Sequence, residues 1–88
     1  MDLTEYRKKI DEIDGKILRL FEERMALAGE IGRFKQENDL PVFQPERESQ
    51  KLDSLKTQAR PEFLLYDREL LETLFALSRK YQEERPRP

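Results

Sequence analysis

The apolar residues of the first part of the chain fall at Leu3, Tyr6, Ile10, Ile13, Ile17, Leu20, Leu27, Ile31 and Phe34, in steps of three and four that mark the seam of a coiled coil. Asp2 with Glu5 three residues on resembles a capping box, and no proline interrupts the chain before Pro41. The pattern predicts one long helix over residues 3–38. Gly15, Gly29 and Gly32 lie inside it at up to ~1 kcal/mol each relative to alanine, so a break near Gly29 to Gly32 is the competing reading. The seam keeps its phase to Phe34, which favours continuity. One seam position, between Leu20 and Leu27, is filled against the pattern by Arg24.

Prolines divide the remainder. Pro41 and Pro45 make residues 38–45 a loop, and Pro45 suits the first position of a second helix over about residues 45–59. Its apolar stripe is Leu52, Leu55 and Ala59, and the Arg60-Pro61 step stops it. Asp67 is placed to cap a third helix over about residues 67–83, with Leu70, Leu71, Leu74, Phe75, Leu77 and Tyr81 inward and residues 83–88 as a fraying tail. No strand alternation or internal repeat occurs, so the predicted fold is all-α, with one long and two shorter helices.

The length of helix one then decides the architecture. About 35 helical residues span about 52 Å, whereas a compact globule of this chain length is roughly 30 Å across. Two such helices side by side and antiparallel, wrapped by the shorter helices of both chains, form an intertwined homodimer that covers both seams.

Composition narrows the chemistry. The 88 residues, 41% charged and 36% hydrophobic, make a single domain with little core material. The chain contains neither cysteine nor histidine, which removes disulfides, the commonest zinc ligands and the usual general base. A net charge of -2 does not suit a nucleic-acid or anionic-membrane partner. No apolar run is long enough to span a bilayer and the N-terminus lacks the layout of a signal peptide, so a cytoplasmic protein is expected.

Polar residues stand where the helical pattern wants apolar ones. Arg24 on the seam needs an anion or a carboxylate beside it. Lys35, about three turns and roughly 16 Å further along almost the same stripe, can converge with it on one elongated ligand. Arg7 borders the stripe about 25 Å from Arg24 and reaches that site only from the other chain of an antiparallel pair. Glu48, with Arg47 beside it, faces inward one turn before Leu52, and Ser78 and Gln82 continue the inner face of helix three. Singly, each has an ordinary explanation: Arg24 pairs with Glu48, Lys35 is a solvated flank, and Ser78 and Gln82 are surface residues. Together they favour a polar pocket for an anion, one that binds and stabilises charge without nucleophile or metal.

The run Arg7-Lys8-Lys9-Ile10-Asp11-Glu12-Ile13-Asp14, then Glu23-Arg24, Lys35, Pro41-Val42, Pro45-Glu46-Arg47-Glu48 and Ser78-Arg79-Lys80-Tyr81-Gln82 resembles the all-helical (AroQ) class of chorismate mutases over nearly the whole chain. The resemblance implies an intertwined dimer that converts chorismate to prephenate by a Claisen rearrangement, without cofactor, metal or covalent intermediate. It implies that Arg24 and Arg47 bind the substrate carboxylates together with the partner subunit's Arg7, and that Ser78 assists at a carboxylate. Lys35 and Gln82 are implied as the donors to the ether oxygen and Glu48 as the holder of the ring hydroxyl. Gln44 stands where many relatives carry an aspartate that helps hold that hydroxyl. Two other readings stay open: an isochorismate pyruvate-lyase on the same fold, from which Glu48 and Ser78 lean away, and a non-catalytic helical dimerisation or regulatory module.

Overall fold

The computed structural model describes residues 1–84, whose regular secondary structure is helical with no strand among them. The helices are α1 (Leu3–Glu37), α2 (Pro45–Asp53), α3 (Leu55–Gln58) and α4 (Leu64–Glu84), with a 3-10 turn at Pro61–Phe63. Among the described residues no helix is long and apolar enough to cross a membrane.

α1 starts because Asp2, with extended backbone, accepts a hydrogen bond from the Glu5 N–H at 2.9 Å. It crosses Gly29 and Gly32 without a break. Its end is a Schellman turn in which Asp39 takes the left-handed conformation (φ 54°). The Asp39 N–H reaches Gln36 O at 3.4 Å and the Leu40 N–H reaches Lys35 O at 2.8 Å. This turn folds the chain back along α1, so that the following loop passes beside Lys35.

α2 and α3 form one arm interrupted at Ser54. That residue keeps helical dihedrals, and the backbone ladder runs through it from Gln50 O to the Gln58 N–H. Its hydroxyl donates to Lys51 O at 2.6 Å, a local bond that competes with regular helix geometry and accounts for the interruption. The last helix begins earlier than the Asp67 cap predicted. The proline-led turn at Pro61 passes into Leu64 already in helical conformation, so Asp67 sits within the first turn instead of capping it. Glu83 and Glu84 remain helical, and the rest of the expected tail, residues 85–88, lies outside the described residues.

Two stripes run along α1, where the pattern predicts one. The expected seam is open: its side chains are between 50% (Ile13) and 64% (Leu20) exposed. The stripe against α4 is a different one, made of Phe21, Arg24, Met25, Ala28, Gly29, Gly32 and Lys35. Arg24 therefore does not interrupt the seam but belongs to its neighbour. On α4, Leu71, Leu74, Phe75, Ser78 and Gln82 face inward, whereas Leu70, Leu77 and Tyr81 are exposed. Ala28, Leu55 and Phe75 are the buried apolar residues among those described. The first half of α1 stands clear of the rest, giving extents of 54 × 28 × 14 Å and a radius of gyration of 16.3 Å, against about 12 Å for a compact chain of this length.

The glycines that weaken α1 as an isolated helix are where α4 comes closest. A Cβ on Gly32 would lie 2.8 Å from Gln82 Cγ and 3.4 Å from its Cα, and one on Gly29 would lie 2.9 Å from the Tyr81 ring. The atoms opposing Gly32 are at the root of Gln82 and cannot swing away. Gly15 has no such neighbour, its Cβ meeting only the Arg19 guanidinium at 3.6 Å.

Opposite signs are therefore expected for two alanine substitutions in one helix. Gly32→Ala should destabilise by about 1–3 kcal/mol through overpacking, despite its better helix propensity. Gly15→Ala should stabilise by about 0.5–1 kcal/mol. Urea midpoints at a fixed protein concentration measure both, and a stabilised Gly32→Ala would contradict the close approach of α1 and α4.

Candidate active site

A cavity of about 430 Å³ opens between the second half of α1, the loop before α2, α2 itself and α4. Seven of the eight residues singled out from the sequence line it: Arg24, Lys35, Gln44, Arg47, Glu48, Ser78 and Gln82. Leu27, Ile31, Val42 and Phe75 supply its apolar wall. Arg7 is not among them; it lies exposed on the free half of α1. A second cavity of about 510 Å³ adjoins Lys35, Val42 and Gln82 from the other side. Its rim carries Glu37, Asp39 and Glu83, which suits an anion poorly.

Arg24, Lys35, Glu48, Ser78 and Gln82 are each held by a contact across elements. The Arg24 guanidinium donates through Nη1 to Ser78 Oγ at 2.5 Å and to Leu74 O at 3.4 Å, which ties α1 to α4. Arg24 thus pairs with Ser78 rather than with Glu48, and Ser78 and Gln82 are buried rather than on the surface. Lys35 Nζ donates to Val42 O at 2.7 Å and to Gln82 Oε1 at 2.9 Å. An ammonium only donates, so this bond orients the amide: Gln82 Oε1 faces Lys35, and its NH2 has no protein partner among the described residues. Lys35 has a third proton to give. Two donors from two helices are thereby set side by side at the cavity wall.

Removal from water lowers the pKa of Lys35 below the usual lysine value of 10.5, and the negative charge of Glu48 partly offsets the effect. Gln44 does not cap α2 with its side chain. Its amide NH2 donates to Pro41 O at 2.8 Å, leaving the carbonyl oxygen free. The Arg47 side chain makes no hydrogen bond or ion pair within the described residues, so its charge is available to a ligand.

Two further cations, Lys51 and Arg79, to which the sequence reading gives no site role, line the cavity. Lys51 had a legible signal, standing one turn after Arg47 on the same helix face. Arg79 had none beyond its place next to Ser78, because its partner Glu48 is 31 residues away.

The sequence was compared with known proteins. The family model for chorismate mutase type II matches residues 6–83. A chorismate mutase of Methanocaldococcus jannaschii is 46% identical over 54 residues, which cover 61% of this chain and 54% of the relative. A bifunctional chorismate mutase/prephenate dehydratase of Aquifex aeolicus is also 46% identical over 54 residues, or 15% of its length. A T-protein of Haemophilus influenzae is 33% identical over 57 residues, covering 65% of this chain and 15% of the relative. The chain thus spans about half the length of the first of these relatives and a small part of the other two. No solved structure gives a significant match. With a family match that runs from the first turn of α1 to the penultimate residue of α4, this chain belongs to the chorismate mutase type II family.

Proposed function

We propose that the protein is a chorismate mutase, which rearranges chorismate to prephenate in aromatic amino acid biosynthesis, and that it works in the cytoplasm as an intertwined homodimer in which these 88 residues form one domain. The observation that carries the activity is the pair of donors, Lys35 and the Gln82 amide, fixed against each other at the wall of a cavity rich in cations. No cofactor or metal enters this reading. Its partners are the substrate and a second copy of the chain, with no nucleic acid or membrane.

The reaction is intramolecular: a carbon–oxygen bond breaks as a carbon–carbon bond forms, and the protein neither gains nor loses an atom. What it must supply is conformation and charge. The substrate is a flexible dianion that reacts only when folded so that the two carbon termini meet. Arg24 and Arg47 hold its carboxylates and select that conformer. Ser78 accepts a bond from Arg24 and so keeps the guanidinium in place. As the carbon–oxygen bond lengthens, negative charge grows on the ether oxygen, and Lys35 Nζ and Gln82 Nε2 donate to it. These bonds are stronger in the transition state than in the bound substrate, which is what lowers the barrier. The free oxygen of Glu48 accepts from the ring hydroxyl, and Gln44 lines the same cavity.

The dimer rests on two features of the fold. The apolar seam of α1 is open along its whole length, and the molecule is far longer than its core requires. A second α1, antiparallel to the first, covers the seam and brings the partner subunit's Arg7 toward the cavity that holds Arg24.

The purified chain should turn over chorismate to prephenate with saturation kinetics; an absorbance assay with product identification checks this, and absence of turnover overturns the proposal. Lys35→Ala and Gln82→Ala should each lower kcat by about 100-fold or more, the size of a lost transition-state donor. A change confined to KM would assign them to binding alone.

The pH profile has a predicted sign. Lys35 acts as the ammonium, so activity is present below its pKa and lost as pH rises through it. Because that pKa is lowered, the alkaline limb of kcat/KM should fall below the usual lysine range. Glu48→Gln removes the charge that raises it and should move the limb to lower pH still. A limb that moves upward would contradict the assignment.

Shared sites make a further demand. Arg7→Ala and Arg24→Ala each damage both sites of their own dimer, but a mixed dimer has one doubly damaged and one intact site. Random subunit exchange between the two inactive proteins should therefore restore about a quarter of the unmutated activity. Verified exchange without recovery would place both arginines in one site from one chain.

A further inference from the structure

Glu48 is the one carboxylate lining a cavity otherwise furnished with cations and amides. In the proposed reaction it faces a dianion, which its own charge repels. Something must hold that charge in place and compensate it.

Arg79 makes the contact that does so. Its Nη1 donates to Glu48 Oε2 in an ion pair that joins α4 to α2. The three other ion pairs among the described residues lie within single turns, at i,i+3 or i,i+4 spacing, and their side chains are 53–75% exposed. Those of Arg79 and Glu48 are 31% and 22% exposed, so this pair is less screened by water and spans elements distant in sequence. The guanidinium is held on a second side as well. Its central carbon stands 5.1 Å over the Phe43 ring, from the loop that follows the Schellman turn. Loop, α2 and α4 thus meet at one cation. Only Oε2 of Glu48 is taken; Oε1 has no protein partner among the described residues.

We propose that Arg79 is a positioning residue for the reaction: it pins Glu48 by Oε2 and balances its charge, so that Oε1 is presented to the cavity as the acceptor for a substrate hydroxyl. Arg79 does not itself touch the substrate. Its planar fork and its stacking on Phe43 are what a lysine at the same position lacks. The inference rests on the proposed chorismate mutase activity for the identity of the hydroxyl, but the hold on Glu48 can be measured without it.

The test uses the 88-residue chain with Arg79→Leu, Arg79→Lys, Glu48→Gln and the double variant Arg79→Leu/Glu48→Gln, each compared with the unmutated protein by urea midpoint. Arg79→Leu should lower kcat/KM for chorismate by about 10- to 100-fold, the effect of losing one charge-assisted hydrogen bond. Arg79→Lys should recover part of that loss. Once Glu48 has become an amide there is no charge to pin, so adding Arg79→Leu should change kcat/KM by less than about 2-fold. Losses that multiply in the double variant, or an unaffected Arg79→Leu, overturn the proposal. Three-bond NMR couplings of Glu48 give the readout that needs no turnover: one χ1 rotamer in the unmutated protein and averaging in Arg79→Leu. Equal couplings in the two also overturn it. If the unmutated protein fails to convert chorismate, the proposed function falls, while the couplings still decide whether Arg79 fixes Glu48.

Discussion

Lys35 has three protons to place, and the fold takes up two of them: one on Val42 O, in the loop that follows α1, and one on Gln82 Oε1, near the end of α4. Both acceptors are within reach only because of how the chain is folded around this residue. The Schellman turn at Asp39 reverses the chain and lays Val42 beside α1. Gly32, one turn before Lys35, removes the Cβ that would hold Gln82 away. A lysine in a more open groove would reach water instead, and the amide of Gln82 would be free to turn. The cost of holding an ammonium partly out of water is visible in its lowered pKa.

The same economy of water governs the rest of the cavity. Arg24 and Lys35 are each partly buried and each carry protein hydrogen bonds on one side, which fixes them without exhausting their donors. In such a setting an electrostatic contact to a bound anion is stronger than at the surface, and no solvent has to reorganise when charge shifts. Glu48 fits among these cations because its charge is met from α4 by Arg79 and in turn favours the ammonium form of Lys35. Site chemistry and interhelical packing are here the same set of bonds. Ser78 both locks α4 to α1 and steadies Arg24.

Stability and function are also joined along α1. The buried apolar residues of the described chain are few, and the nine seam residues of α1 face outward. At about 25 cal/mol per Å² of apolar surface removed from water, covering a seam that runs the length of α1 is a hydrophobic gain open to this chain. In the proposed dimer that gain and the delivery of the partner subunit's Arg7 are one event, so association completes the core and the site together.

Much of this was legible in the sequence because it is local. The continuity of α1, the Asp2 cap, the prolines around the loop and the arrest at Arg60-Pro61 depend on residues within a turn or two of one another. The candidate site was legible partly as polar residues at positions that the helical period assigns inward, and six of these line one cavity together with Gln44, which only the family resemblance singled out. Periodicity alone could not say which of two neighbouring stripes on α1 meets α4, because both repeat every three to four residues. That choice was made by tertiary packing, which put the stripe that carries Arg24, Ala28, Gly29, Gly32 and Lys35 against α4 and left the apolar seam open. Tertiary structure also decided the partners. Arg24 meets Ser78 across 54 residues, Lys35 meets Gln82 across 47, and Arg79 meets Glu48 across 31, distances over which spacing carries no information about contact. Gly32 reads as a weakness in a helix considered alone and as a requirement once a second backbone lies against it. The sequence by itself determined which segments are helical and which residue types stand ready; only the close approach of helices far apart in the chain decided what each charge would face.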